Sequence, residues 1–264
     1  MTEQPDSVGT EVLFEVTGNI AWVRLNRPER RNAINGAVTR AMSWICKAID
    51  ADDDIRVAIL TSATPNMFCA GADLSEVAKG GGADLMNEYG GFGGFVKAPR
   101  YTPWIAAVDG AAMGGGLEFA VSCDMIIAAE RATFGLPEVK RGLFAAAGGV
   151  FRLPRIIPPV AANELIATGD PLTADNALKF AMVNRVVAPE ALDDAAQNLA
   201  ERIAASAPVS VRESLKIARE AAHAEEDKYW ALSGEAMMKV MASEDAKEGP
   251  KAFLEKRAPQ WSGR

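Results

Sequence analysis

Apolar and polar residues alternate on both sides of Gly18-Asn19 in EVLFEVTGNIAWVRL (11–25), which predicts two short strands joined by a turn. The period then changes. Between Ala37 and Asp50, Val38, Met42, Ile45 and Ile49 recur at intervals of four, three and four, one face of a helix. IRVAILT (55–61), WIAAVDG (104–110) and DMIIAAE (124–130) are apolar runs of the kind that strands carry when buried on both faces of a parallel sheet. Strand, helix and strand within a short stretch predict a parallel pair joined by a crossover. From Pro158 onward the spacing is helical, broken by one strand candidate, NRVVA (184–188), and punctuated by Gly169-Asp170-Pro171, Pro189 and Pro208. The first two-thirds therefore read as α/β and the last third as helical. Lys79 to Gly94, with Gly80-Gly81-Gly82 and Gly90-Gly91-Phe92-Gly93-Gly94, is too glycine-rich for a core element and predicts a flexible loop, either at an active site or a plain connection.

With 264 residues, 49% hydrophobic and 24% charged, the chain has the mix of an ordinary folded protein and the length to bury a full core without disulfides or metal. A formal charge of −7 leaves no basic field for nucleic acid or an acidic membrane surface. No apolar run has the length of a membrane span, and the opening MTEQPDSVGT carries acids and a proline where a signal peptide needs a basic start; a cytoplasmic chain is expected. Cys46, Cys69 and Cys123 are far apart with no C-x-x-C, which fits a reducing compartment and argues against zinc. The single histidine, His223, falls beside the apolar stripe Val211, Leu215, Ala218, Ala222 and before Glu225, Glu226 and Asp227, a solvated helix position. That removes serine triads, cysteine–histidine dyads and most metal chemistry.

Glycine-rich phosphate loops are absent, since neither G-x-x-x-x-G-K-[ST] nor a G-x-G-x-x-G after a strand occurs. Two glycine-marked corners remain, Phe68-Cys69-Ala70-Gly71-Ala72-Asp73-Leu74 after IRVAILT and Gly114-Gly115-Gly116-Leu117-Glu118 after WIAAVDG. Each is either a tight turn at crowded packing or a source of unpaired backbone N–H groups, the material of an oxyanion hole. Glu118 has apolar neighbours in GGGLEFAVSCD, and burying its carboxylate without a partner is costly. It either faces the start of the new helix or sits in a water-poor cleft with a raised pKa. Glu138, after Pro137 in FGLPEVKRG, either opens a helical turn or converges with Glu118 on one substrate from a second element.

FCAGADL, AAVDGAAMGGGLEFAVSCD, TFGLPEVKRGL and AGGVFRLPR resemble, in order and spacing, the signature segments of the crotonase superfamily, specifically the enoyl-CoA hydratase/isomerase family. VRLNRPERRNAIN and EDAKEGPKAFLEKRAPQW are similar to that family's amino-terminal CoA loop and carboxyl-terminal tail, so the resemblance runs from about residue 11 to 262. It implies an α/β fold, a crotonase-like spiral of ββα units over residues 1–200, with a C-terminal helical trimerisation region and tail over 201–264, assembled as a homotrimer or dimer of trimers. It implies an acyl-CoA thioester substrate whose carbonyl oxygen is held by the N–H groups of Ala72 and Gly115. Glu118 is implied to deprotonate the water attacking C3 and Glu138 to protonate C2, with no cofactor beyond the coenzyme A of the substrate. Arg30 or Arg31 is implied near the CoA phosphates, Ala70 and Asp73 near the pantetheine and adenine, and Phe253 and Lys256 from a neighbouring subunit's tail. Lys256 and Arg257 also read as a solvated basic helix end.

The resemblance implies an enoyl-CoA hydratase-like lyase of acyl-CoA degradation; a 3,2-enoyl-CoA isomerase of the same fold and a catalytically weak acyl-CoA-binding protein are the alternatives. The chain departs from hydratase relatives in one segment. Phe144-Ala145-Ala146-Ala147 stands before Gly148-Gly149 where a Pro-Gly pair is usual, so Ala146 replaces a glycine beside the reacting acyl group. Cys69, next to a corner, has no histidine to activate it as a nucleophile.

Overall fold

The computed structural model describes residues 9–264 apart from 79, 144, 222–237, 240 and 241. His223, Met237, Met241 and Phe144 lie outside the described residues, as does the side chain of Phe253. The predicted hairpin is present, with β1 (Val12–Thr17) antiparallel to β2 (Ile20–Leu25), and so is helix α1 (Gly36–Ala51), capped by the Asn35 side chain accepting from Val38 N. The apolar runs form β3 (Val57–Ser62), β7 (Trp104–Val108) and β9 (Met125–Ala129), parallel to one another in a sheet of order β1-β2-β3-β7-β9-β12, where β12 is Arg185–Val187.

Period-two placement explains why these strands read as continuous apolar runs. Val57 and Ile59 of β3, Ile105 of β7 and Ile127 of β9 face helix α7 (Leu192–Ala204), while Ala58, Leu60, Ala106 and Ala128 face the main core under α1. Helix α7 spans position 200, and its Leu192, Ala196 and Ala200 are buried on the sheet.

After each of the three central strands the chain turns into a short strand that the sequence did not announce. These are β4 (Met67–Cys69), β8 (Ala111–Met113) and β10 (Thr133–Gly135), parallel neighbours in a second sheet of order β11-β10-β8-β4, with β11 at Leu172–Thr173. Each then runs into helical structure: α2 (Leu74–Ala78), α3 (Gly115–Ala120) and the 3-10 turn Pro137–Arg141. Three successive ββα units therefore wind into a spiral. Asp109 stitches its turns together, accepting from Asn66 N at 2.8 Å on one side and from the Arg131 guanidinium at 2.7 Å on the other. Gly110 (φ +70°) packs so tightly on the carbonyl of Asn66 that a Cβ would lie 2.1 Å away.

The glycine-rich segment is not the flexible loop expected of it. It contains a 3-10 turn, Gly81–Leu85, and two paired two-residue strands, β5 (Met86–Asn87) and β6 (Gly91–Phe92), and residues 90–96 are buried. Its glycines serve close approach: a Cβ on Gly94 would stand 2.2 Å from the Thr39 carbonyl of α1, and one on Gly93 would stand 2.3 Å from the Phe119 ring of α3. Helices α4 (Gly149–Ile156), α5 (Pro159–Thr168), α6 (Ala174–Lys179) and α8 (Pro208–Ala221) and a last helix, Glu244–Glu255, complete the described chain. Among the described residues, no helix is long and apolar enough to cross a membrane.

Candidate active site

Both glycine corners open onto one cavity of about 1160 Å³. Each is the point where a strand of the second sheet becomes a helix. Gly71 has φ +90° and Gly114 φ +55°, conformations that favour glycine. They also touch: a Cβ on Gly71 would lie 2.9 Å from Met113 O and 3.0 Å from Gly115 N. This contact brings Ala72 and Gly115 side by side, and neither N–H has an acceptor within the protein among the described residues.

The first corner is held from behind by the loop at 27–34. Ala70 N donates to Arg31 O at 3.0 Å, Ile34 N donates to Gly71 O at 2.8 Å, and Asp73 N donates to Ile34 O at 2.9 Å. Buried Asn32, at φ +54°, donates from its amide to Ser62 Oγ (2.7 Å) and Phe68 O (3.0 Å). The Arg27 guanidinium binds Ala33 O and, at 3.1 Å, Asp73. Burial opposes ionisation of Asp73, but the Ser75 hydroxyl at 2.6 Å and Arg27 outweigh it and hold its carboxyl below the usual range. Asp73 therefore lines the cavity with its charge already paired inside the fold.

Arg30, Arg31 and Ala70, which the sequence reading assigned to CoA, also line the cavity. Lys256 is exposed and does not line the cavity of its own chain; its neighbour Arg257 is paired with Glu248 at 2.6 Å and Glu255 at 2.5 Å.

Glu118 rises from the first turns of α3 and is 3% exposed. Of its two readings, the cleft holds: its Oε1 accepts from Gly149 N at 2.8 Å, the start of α4, rather than capping its own helix. Burial pushes its pKa up to about 7; the N–H of Gly149 and of Ala147 and the charge of Arg152 act the other way, and the Glu138 charge adds to the rise. Glu138 comes from the 3-10 turn on the next coil of the spiral and is also raised, by burial first, against its own backbone hydrogen bond and Arg141. Its Oε1 faces Gly114, where a Cβ would lie 2.8 Å away, and its Oε2 is buried with no partner among the described residues. Two protonatable carboxyls thus flank two free N–H donors in one cleft. Such a set can hold a carbonyl oxygen that gains negative charge while a proton is given and another taken beside it.

Ala146 lines the same cavity as the two glutamates, where the sequence departs from its resemblance. Cys69 is buried, donates to Asn32 O and has its thiol pushed up to about 12 by burial, so it is inert as a nucleophile. The sequence reading missed the donors of Gly149 and Ala147. Gly148-Gly149 ahead of an amphipathic run is the signal of an open helix start that would have exposed them.

The chain matches the family model described as Enoyl-CoA hydratase/isomerase over residues 15–264. It is 40% identical over 252 residues to a carnitinyl-CoA dehydratase of Proteus mirabilis (strain HI4320), covering 94% of this chain and 96% of the relative. An enoyl-CoA hydratase structure from Mycobacterium tuberculosis H37Rv superposes with a TM-score of 0.92 at 42% identity, over 96% of this chain and 99% of that one. A carnitinyl-CoA hydratase structure from Mycobacterium avium is 44% identical with a TM-score of 0.77, again over 96% and 99%.

Proposed function

The chain belongs to the enoyl-CoA hydratase/isomerase family, and from that premise we propose how its residues work as a hydro-lyase on an acyl-CoA thioester. The observation that carries the reading is the pair Glu118 and Glu138 flanking the unpartnered N–H groups of Ala72 and Gly115 in one cavity. The thioester carbonyl oxygen takes those two donors. Water attacks C3 as Glu118 accepts its proton, and the C2–C3 π electrons move toward the carbonyl; Glu138 then places its proton on C2. Charge on that oxygen grows during the reaction, and each fixed donor contributes about 2.7–4 kcal/mol to its stabilisation. The pair carries one proton before and one after, so the same site runs in reverse to expel water.

Arg30 or Arg31 would meet the CoA phosphates, with Ala70 and Asp73 near the pantetheine and adenine; Phe253 and Lys256 would come from a neighbouring subunit. A homotrimer or dimer of trimers fits the large apolar side chains left open, notably Val160 at 80% and Met238 at 73% exposure. Light scattering at micromolar concentration tests the assembly, and a monomer counts against it.

The test of the reaction is 2-butenoyl-CoA followed by the absorbance of its conjugated thioester. Loss of absorbance is expected. A gain from a 3-enoyl-CoA without that loss assigns the isomerase instead, and binding with neither change assigns a catalytically weak acyl-CoA binder.

A further inference from the structure

Arg152 of α4 touches neither corner, yet its guanidinium meets both structures that fix Glu118. It donates to Ser122 Oγ at 2.8 Å, and that hydroxyl donates to the Glu118 carbonyl at 2.6 Å, closing the end of the helix that carries the carboxylate. It also donates to Ala147 O at 3.4 Å, in the turn whose Ala147 and Gly149 N–H groups face the carboxylate, and to Val96 O at 2.6 Å. We propose that Arg152 is a positioning residue for Glu118, one guanidinium that joins the helix bearing the carboxylate to the turn that holds it.

The fork divides these acceptors between two nitrogens, Nη1 for Ser122 and Ala147 and Nη2 for Val96, a spread that a single ammonium nitrogen lacks. The charge has a second effect. The charged groups bearing on Glu118 are Glu138 from the 3-10 turn, which opposes its ionisation, and Arg152 from α4, which favours it. Arg100 and Arg155 stand beside Arg152 in turn, and burial and Arg100 weaken its hold on its proton. Arg100 is itself tied to Phe95 O and, at 2.7 Å, to Ser122 O. Arg152 is thus the cation set against the Glu118–Glu138 repulsion, without a direct ion pair to Glu118 among the described residues.

The inference rests on the hydro-lyase reading for its kinetic arm only. The deciding measurement is a carbon-13 titration of the Glu118 carboxyl by NMR, assigned by its loss in Glu118→Gln, in the full-length protein. Arg152→Gln, which keeps length and a donor but no charge, should raise the midpoint by at least about half a pH unit, a threefold rise in proton affinity. Arg152→Lys restores the charge without the fork and should bring the midpoint back toward wild type while kcat stays at least about threefold low with KM unchanged. A wild-type midpoint in a folded Arg152→Gln protein overturns the proposal. If Arg152→Gln does not fold, Arg152→Lys decides alone: wild-type kcat together with a wild-type midpoint overturns it. A wild-type protein that fails to hydrate 2-butenoyl-CoA while the midpoints shift as stated rejects the reaction and keeps Arg152.

Discussion

The backbone N–H of Gly149 lies 2.8 Å from Glu118 Oε1, reaching across 31 residues of chain from the start of one helix to a side chain on another. That bond favours the ionised carboxylate, and burial outweighs it, leaving Glu118 at about 7. The folded state therefore binds the Glu118 proton more tightly than the unfolded chain, whose carboxyl sits near 4.5. Relative to a side chain that does not titrate, its contribution is intact below the unfolded value and is lost as pH rises through about 7. Glu118→Gln should gain about 2–3 kcal/mol on wild type between pH 5 and pH 8, read from urea unfolding at both. An equal stability difference at the two pH values would show the carboxyl to be unperturbed.

Replacing either glutamate by glutamine keeps shape and removes proton exchange. Glu118→Gln and Glu138→Gln should each lower kcat by about 10²–10⁴ with acyl-CoA affinity little changed. The double variant should be scarcely worse than the poorer single, because both groups act in one reaction. On a 3-enoyl-CoA, one dead and one near-normal variant would instead mark an isomerase.

The pair must hold one proton to work in either direction. Activity should therefore fall as pH rises through about 7, where the coupled pair loses its last proton, and fall again on acidification, where both carboxyls are protonated. A bell in kcat/KM of the free enzyme is the expected profile. Activity that climbs without limit above neutrality would contradict a shared proton.

Gly115 carries one donor, and a Cβ on it would lie 2.4 Å from Cε1 of Phe92. Gly115→Ala should push that ring or the corner itself and lower kcat by about tenfold or more, within the loss expected for a displaced oxyanion donor. Phe92→Leu removes the obstructing ring atoms and should recover part of the loss in the double variant. Absence of any recovery in a well-folded double variant would place the defect elsewhere than in this contact.

Much of this molecule was legible in the sequence. The period-two hairpin, the α1 stripe of Val38, Met42, Ile45 and Ile49, and the buried runs at 57, 104 and 125 all became the elements they predicted. The strands β4, β8 and β10 did not announce themselves, because three residues carry too little alternation to be read. Gly90 to Gly94 misled for a different reason: glycine signals both freedom and close approach, and only the positions of Thr39, Ser43 and Phe119 decide which. The two corners and two glutamates were visible as residues. Their convergence was not, since it depends on Gly71 and Gly115 touching across successive coils.

The spiral also allots the labour of the site by coil. The first coil supplies one glycine corner, the second supplies the other together with Glu118, and the third supplies Glu138, with the following segment adding Ala146 and the Gly149 donor. Glu138 and the Gly149 donor thus lie on a stretch of chain apart from both corners, whereas Glu118 shares the second coil with Gly115. On the proposed mechanism, a change confined to 136–149 would act on Glu138 and Ala146 and leave the N–H groups of Ala72 and Gly115 in place. The two corners are in this sense a fixed handle, and the segment that follows them is the replaceable part of the cavity wall.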